Sequence, residues 1–322
     1  VKEISLIIPH KALISSVEDA RQMFSRVNEH LRQQGKQAMF NVKLVGLTRE
    51  VSLGGGQYVI KTDAMIGDIA RPDLILIPSI DEEIIPLLTF NLRFNPWIIS
   101  NYLKGSEIAS LCTGSFLLAS TGLLKENYCA THWHYANEFR AYFPNVKLVE
   151  YKILTEQNGI YTSGGSTSYW NLLLHLVEKY TDKATAVWAS KYFALDISRN
   201  SQSQYAIFNG QKEHKDKEVL TVQEFIELNY GEKMTVEVLS SLVNIGRRTF
   251  ERRFRKATNN AIIEYIQRVK IEVAKKLLEA GRKTVNEVMF EVGYTDTNAF
   301  RELFLKIAGL TPFEYRNKYN KL

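Results

Sequence analysis

The chain of 322 residues is too long for one small module and long enough to bury two hydrophobic cores. Its 45% hydrophobic and 24% charged residues are ordinary for a folded globular protein, and no apolar run approaches the ~18 residues of a membrane span. The net charge of +6 alone is weak support for a polyanionic partner, so its distribution along the chain matters more.

The opening Val1-Lys2-Glu3-Ile4-Ser5-Leu6-Ile7-Ile8-Pro9 reads as a short buried strand rather than a secretory signal, which needs a basic start and a longer apolar stretch. The expected location is therefore cytoplasmic, with Cys112 and Cys129 as free thiols. Further strands are expected at 38–46, 74–78, 107–111, 128–131, 146–149 and 160–162, several of them continuous apolar runs of the kind buried on both faces. Helical patterns lie between them at 17–34, 86–103, 113–121, 134–142, 166–179 and 183–193. This alternation predicts a doubly wound α/β domain over 1–196. Gly54-Gly55-Gly56 sits between two short strand patterns and predicts the turn of a side hairpin; it lacks the spacing of a phosphate loop.

Residues 197–217, polar, charged and rich in Ser, Gln and Lys, read as a linker. From 218 to 322 every pattern is helical: 219–229, 236–242, 247–257, 262–280, 285–292, 297–307 and 312–319. This segment repeats itself. Thr235-Val236, Leu239, Ile245, Phe250, Phe254, Asn259 and Glu264-Tyr265 return as Thr284-Val285, Val288, Tyr294, Phe300, Phe304, Gly309 and Glu314-Tyr315. The offset is 49 residues as far as Tyr294 and 50 after it, as if a helix-turn-helix had been duplicated with one residue added in the turn.

Six bases and the single Glu251 fall within 247–256, which concentrates positive charge as a phosphate-contacting surface requires. Phe250 and Phe254, four apart, face inward. Arg248 and Arg252 lie one turn apart near the start of the recognition helix and are the expected base readers; Arg247, Arg253, Arg255 and Lys256 are the expected phosphate contacts, and Glu251 is counted with the DNA-binding residues of this helix. In the second unit Thr295 or Asp296 can cap the helix, leaving Thr297, Asn298 and Arg301 as contacts. The helix joining the units would be ~27 Å long, which suits recognition elements in successive major grooves.

Residues 218–320 resemble the AraC/XylS family of transcription regulators, in the run from Arg248 to Phe254 and in Val292-Gly293-Tyr294, Ala299-Phe300, Phe304, Gly309-Leu310-Thr311-Pro312 and Tyr315-Arg316. Two positions depart from the family pattern. Gly246 replaces the usual Ser cap of the first recognition helix, and Glu302 replaces the usual Arg of the second. The resemblance implies double-stranded promoter DNA as partner, with the second unit the weaker binder.

In the first half, the run from Glu107 to Ala119 passes from strand to helix with Cys112 at the corner, the geometry of a nucleophile elbow, where a helix N-terminus lowers a thiol pKa. His132 follows a later strand, and Thr162-Ser163-Gly164-Gly165-Ser166 precedes another helix. These stretches resemble the PfpI/ThiJ superfamily, related to class I glutamine amidotransferases, in the branch fused to AraC-type domains. The resemblance implies a flavodoxin-like domain that senses a small nitrogenous metabolite or mediates homodimerisation, with no cofactor or metal. Where active members carry a His after the Cys, this chain has Thr113. Where they carry an acid, it reads Leu13-Ile14-Ser15-Ser16-Val17, with Glu18 and Asp19 close by. Cys112 and His132 are thus vestigial catalytic candidates, and Ser16, Cys112, Thr113, His132, Trp133 and Gly165 the expected effector pocket. Two alternatives stay open: a Cys-dependent hydrolase or glyoxalase-like enzyme with an appended DNA-binding domain, and a dimerisation module that binds DNA constitutively.

Overall fold

A computed structural model describes residues 1–81, 84–196 and 201–320 and divides the chain into two compact units, meeting in sequence between Gln202 and Ser203. The first unit is built on β1 (Lys2–Ile7), α1 (Ile14–Gln33), β2 (Phe40–Gly46), β3 (Glu50–Leu53), β4 (Tyr58–Lys61), β5 (Ala64–Met65) and β6 (Leu74–Ile77). It continues through α2 (Ile84–Asn91), α3 (Asn95–Leu103), β7 (Glu107–Ser110), α4 (Gly114–Ser120), β8 (Tyr128–Cys129), α5 (Ala136–Tyr142) and β9 (Lys147–Leu148). β10 (Leu154–Gln157), β11 (Ile160–Ser163), α6 (Ser168–Tyr180) and α7 (Lys183–Tyr192) complete it.

Seven strands form one sheet in the order β10-β11-β7-β6-β1-β2-β5, parallel except for the β10–β11 pair. The physical reason is legible in β6, whose Leu74-Ile75-Leu76-Ile77 is buried on both faces. Leu74 and Leu76 pack with Phe24 of α1 and Leu172 of α6, while Ile75 and Ile77 pack with Ile98 of α3, Phe116 of α4 and Phe139 of α5. Helices on both faces of a parallel sheet make the fold doubly wound, and the central order β2-β1-β6-β7-β11 is the flavodoxin-like one. The β3–β4 hairpin turns through the three glycines as expected.

Three expectations shift. The strands at 128–131 and 146–149 leave the main sheet and pair with each other as β8 and β9. β10 has no apolar run because it is an edge strand, Leu154-Thr155-Glu156-Gln157, with one apolar residue in four. The helix expected over 86–103 breaks at a 3-10 turn, Leu92–Phe94, because Pro96 can neither donate to an ongoing helix nor avoid the carbonyl four residues back.

The second unit comprises α8 (Lys217–Leu228), α9 (Val236–Leu242), α10 (Arg247–Thr258), α11 (Ile262–Glu279), α12 (Val285–Glu291), α13 (Thr297–Ala308) and α14 (Pro312–Tyr319). It has two cores, one under α8–α10 and the first half of α11, the other under the rest of α11 and α12–α14, with Tyr230 packed against both. The duplication holds at side-chain level. Phe254 meets Tyr265 edge-on at 5.3 Å and Phe304 meets Tyr315 at 5.5 Å, and each tyrosine hydroxyl donates to a glutamate, Glu227 at 3.0 Å and Glu279 at 2.6 Å. The turn before each recognition helix needs a left-handed residue, Asn244 (φ 52°) or Gly293 (φ 78°), and so does each recognition-helix end, Asn259 or Gly309.

The described part of the segment expected as a linker, 201–217, is partly packed rather than wholly solvated. Residues 197–200 of it, and the final 321–322, lie outside the described residues. Ser201 bridges to Lys152, and Gln202 is buried in the first unit. Beyond it, the backbone N–H of Phe208 donates to Glu272 at 3.1 Å and the carbonyl of Gln211 accepts from Gln223 at 2.9 Å, both within the second unit. Its many Ser and Gln side chains suggested solvent in the sequence; here several serve as hydrogen-bond partners for folded backbone.

Candidate nucleic-acid interface and the cysteine corner

α10 starts at Gly246, which supplies extended backbone and no side-chain cap. Its buried stripe is Phe250, Phe254 and Thr258; its outer stripe is Arg248, Arg252 and Arg255, spaced four and three apart and all exposed. Arg248, Arg252, Arg255 and Lys256 have no hydrogen-bond or ion-pair partner among the described residues. Such cations, mounted on a rigid helix and left uncompensated by the protein, are suited to an external polyanion.

The other charged residues of α10 are engaged. Arg247 pairs with Glu237 of α9 and, at 3.3 Å, with Glu251, so Glu251 orients a neighbouring arginine. Arg253 points away from the outer stripe. It forks onto both carboxylate oxygens of Asp216 at 2.8 and 2.7 Å and reaches Glu218 at 2.7 Å. Hydrogen bonds from Arg253 hold the Asp216 carboxyl below its usual range, and those to Asp216 and Glu218 push the guanidinium up. Arg253, expected on phosphate, instead ties α10 to the start of α8. A rotation of about 100° around the helix separates it from Arg252, a distinction that composition alone does not reveal.

In α13, Asp296 is the cap, its carboxylate accepting from the Ala299 N–H at 2.9 Å. Phe300, Phe304 and Ala308 are buried, while Thr297, Asn298, Arg301 and Glu302 are exposed. α13 carries two bases and one acid against six bases and one acid on α10.

In the first unit Cys112 sits at the β7–α4 corner with φ 53°, a left-handed conformation rare for a side-chain-bearing residue. The corner is tight because a Cβ on Gly114 would lie 2.5 Å from the Pro78 carbonyl oxygen. The Cys112 N–H donates to Ser163 Oγ at 3.1 Å. The elbow is present, but the expected activation is not. Burial pushes the Cys112 thiol up, against partial relief from the Ser79 hydroxyl and the Ser166 and Thr113 N–H groups. Desolvation of the thiolate outweighs the helix end. Burial likewise pushes Cys129, a core strand residue, up to about 12.

The expected pocket residues are drawn into the scaffold. Ser16 donates to the Leu13 carbonyl at 2.8 Å and accepts from the Ser79 N–H at 3.0 Å. Thr113 Oγ1 lies 2.7 Å from the Ser79 hydroxyl, accepts from the Ile80 N–H at 2.9 Å and donates to the Ile80 carbonyl at 2.7 Å. His132 approaches Ser166 Oγ at 3.5 Å and accepts from the His134 N–H at 3.1 Å. Burial, with repulsion from His134, lowers His132 to about 4, so it is neutral at physiological pH. Trp133 packs beside it at 5.4 Å between ring centres. Gly165 is required by this ring, since a Cβ there would lie 2.2 Å from His132 Cδ2.

One participant escapes the sequence reading, and one of the acids noted there finds a partner. Gln202, from the supposed linker, is buried; its carbonyl oxygen accepts from the Gly165 N–H at 3.0 Å and its amide donates to the Thr131 carbonyl at 2.8 Å. The signal was the Gly164-Gly165 pair, which implies close approach of another group; a Cβ on Gly164 would meet the Gln202 amide at 2.8 Å. Asp19 accepts from the Tyr169 hydroxyl at 2.5 Å, and burial raises its pKa. Glu18 is turned to Arg21.

The geometry defines a class: a doubly wound domain with a cysteine elbow, followed by a helical unit carrying two helix-turn-helix modules. Residues 11–179 match the DJ-1/PfpI family and residues 239–318 a helix-turn-helix domain, of the AraC type expected above. The chain belongs to the DJ-1/PfpI family. Among curated proteins it is similar to the HTH-type transcriptional regulator GbdR of Pseudomonas aeruginosa, 26% identical over 217 residues, which are 66% of this chain and 58% of that protein. The regulator ArgR of the same organism is 23% identical over 216 residues, 67% of this chain and 65% of ArgR. The regulator CdhR, also from P. aeruginosa, is 22% identical over 261 residues, 80% and 76%. The chain thus spans less than two thirds of GbdR and ArgR. A solved structure from Vibrio parahaemolyticus shares the fold, with TM-score 0.53 and 24% identity over 59% of this chain and 97% of that one.

Proposed function

We propose that the protein is a sequence-specific DNA-binding transcription regulator controlled by a small metabolite at its α/β unit. The observation that carries this reading is the outer stripe of α10, where Arg248, Arg252 and Arg255 stand exposed and unpaired among the described residues while the inner stripe is core. Arg248 and Arg252 are assigned to base edges, and Arg247, Arg255, Lys256, Thr297, Asn298 and Arg301 to the remaining DNA contacts. The names of the regulators it resembles support the same conclusion. Promoter DNA, a second copy of the chain and a nitrogenous effector are the partners, in the cytoplasm.

Turnover is not part of this reading. A nucleophilic Cys112 would need an accessible thiolate and a paired base. Instead the thiol is buried and pushed up, and the polar contacts of His132 run to Ser166 and His134. The family elbow serves here as a sensing scaffold, with Trp133 as the half-buried aromatic available to an effector.

The test is promoter binding by Arg248→Ala plus Arg252→Ala. Removing about two bidentate base interactions should weaken specific binding on the order of a hundredfold, with an unchanged melting temperature. Intact specific binding would refute the assignment. A thermal-shift screen of nitrogenous metabolites, with promoter DNA present and absent, checks sensing and its coupling to DNA.

A further inference from the structure

The two recognition helices can be superposed by register, and the comparison isolates one residue. Counted from their caps, Arg252 is the sixth residue of α10 and Glu302 the sixth of α13. In both helices the fourth and eighth residues are the buried phenylalanines, so the sixth position has the same orientation to its own module. The outer stripe Arg248, Arg252, Arg255 of the first becomes Asn298, Glu302, Leu305 in the second, all exposed.

A carboxylate in this stripe is costly beside phosphate and gains nothing from the backbone of DNA. Glu302 has no hydrogen-bond or ion-pair partner among the described residues, so no helix-stabilising pair accounts for it. Arg301 lies on the next face of the helix and feels the Glu314 carboxylate instead. The one duplex group that suits an acceptor-only side chain in the major groove is an amino group on a base edge, foremost the N4 amine of cytosine. Asn298, one turn earlier, has the paired donor and acceptor that match adenine.

We propose that Glu302 is the specificity-determining residue of α13, selecting cytosine where Arg252 of α10 selects guanine, with Asn298 reading a neighbouring adenine. The proposal rests on the DNA-binding reading above and assigns the second module its specificity. α13 contributes little non-specific affinity and contributes discrimination, so the two modules divide the work between them.

The test is selection from a randomised duplex pool by the full chain at fixed salt, for the wild type and for E302A, E302Q and E302R. The wild type is expected to select a half-site dependent on Arg248 and Arg252 and, roughly one helical turn away, a cytosine preferred by about tenfold. E302A should lose that preference while keeping the first half-site. E302Q should move it toward adenine and E302R toward guanine. Because the residue is exposed, melting temperatures should match the wild type and serve as the folding control. If E302A binds every sequence more tightly by one common factor with the motif unchanged, Glu302 is only a repulsive charge and the proposal fails. A selected motif with a first half-site and no second also overturns it while leaving the regulator reading intact. A wild type that selects no sequence at all overturns both.

Discussion

The Cys112 corner and the outer face of α10 are both rich in polar side chains, but they use them in opposite ways. At the corner, Ser16, Thr113, Ser115, Thr131, Ser163 and Gln202 each complete hydrogen bonds within the protein. On α10, Arg248, Arg252, Arg255 and Lys256 complete none among the described residues. Buried polar groups must be satisfied internally, because an unpaired one costs its full desolvation. A surface meant for an external polyanion requires the reverse. The difference separates scaffold from interface more sharply than the identity of any single residue, and it predicts that substitutions at the corner act on stability and those on α10 on binding.

Gly165→Ala tests the corner's role in stability. The added methyl would lie 2.2 Å from the His132 ring, which is itself held by the His134 N–H. Overpacking of this kind costs about 1–3 kcal/mol. The melting temperature should fall by several degrees while DNA affinity of the folded fraction stays within about twofold. An unchanged melting temperature with abolished DNA response would mean that the corner acts on signalling and not on stability.

A smaller effect sharpens the same line within one helix. Arg255→Ala with Lys256→Ala should leave stability unchanged and reduce the salt dependence of DNA binding by about 0.9 for each phosphate no longer neutralised. Arg253→Ala should do the opposite. It releases Asp216 and Glu218 at the base of α8, so the melting temperature falls and the salt slope stays. Equal slopes for both variants would return Arg253 to the interface.

The sequence shows the helical half almost entirely. Expected helix bounds lie within two residues of those observed, because each module repeats a buried aromatic spacing and ends on Asn259 or Gly309, positions that demand a left-handed conformation. The doubly wound order of the first half was legible from apolar runs such as Leu74–Ile77, but edge strand β10 was not, because a strand with one apolar residue in four lacks such a run. At the site, the Cys112 elbow was legible and its chemistry was not. The sign of the thiol shift depends on burial by residues distant in sequence, as does the role of Gln202, which lies 37 positions from the glycine it holds. Arg253 was misplaced for the same reason, since its partners Asp216 and Glu218 are 37 and 35 positions away.

The smallest effect concerns pH. His132 in the folded protein titrates at about 4 against an ordinary value of 6.5, because burial disfavours the imidazolium and His134 repels it. The unfolded chain therefore binds a proton that the folded one does not, and stability rises with pH between these values. The contribution is fully present above about 6.5 and fades progressively as pH falls toward about 4. The depressed carboxyl of Asp216, in the second unit, loses its contribution through the carboxylate range, lower than the start of the His132 window. His132→Gln should flatten the melting-temperature profile between about pH 6.5 and 5 and leave DNA binding at neutral pH untouched. If the wild-type and variant profiles coincide there, His132 is not held neutral by the corner, and the assignment of its ring to the buried scaffold fails with it.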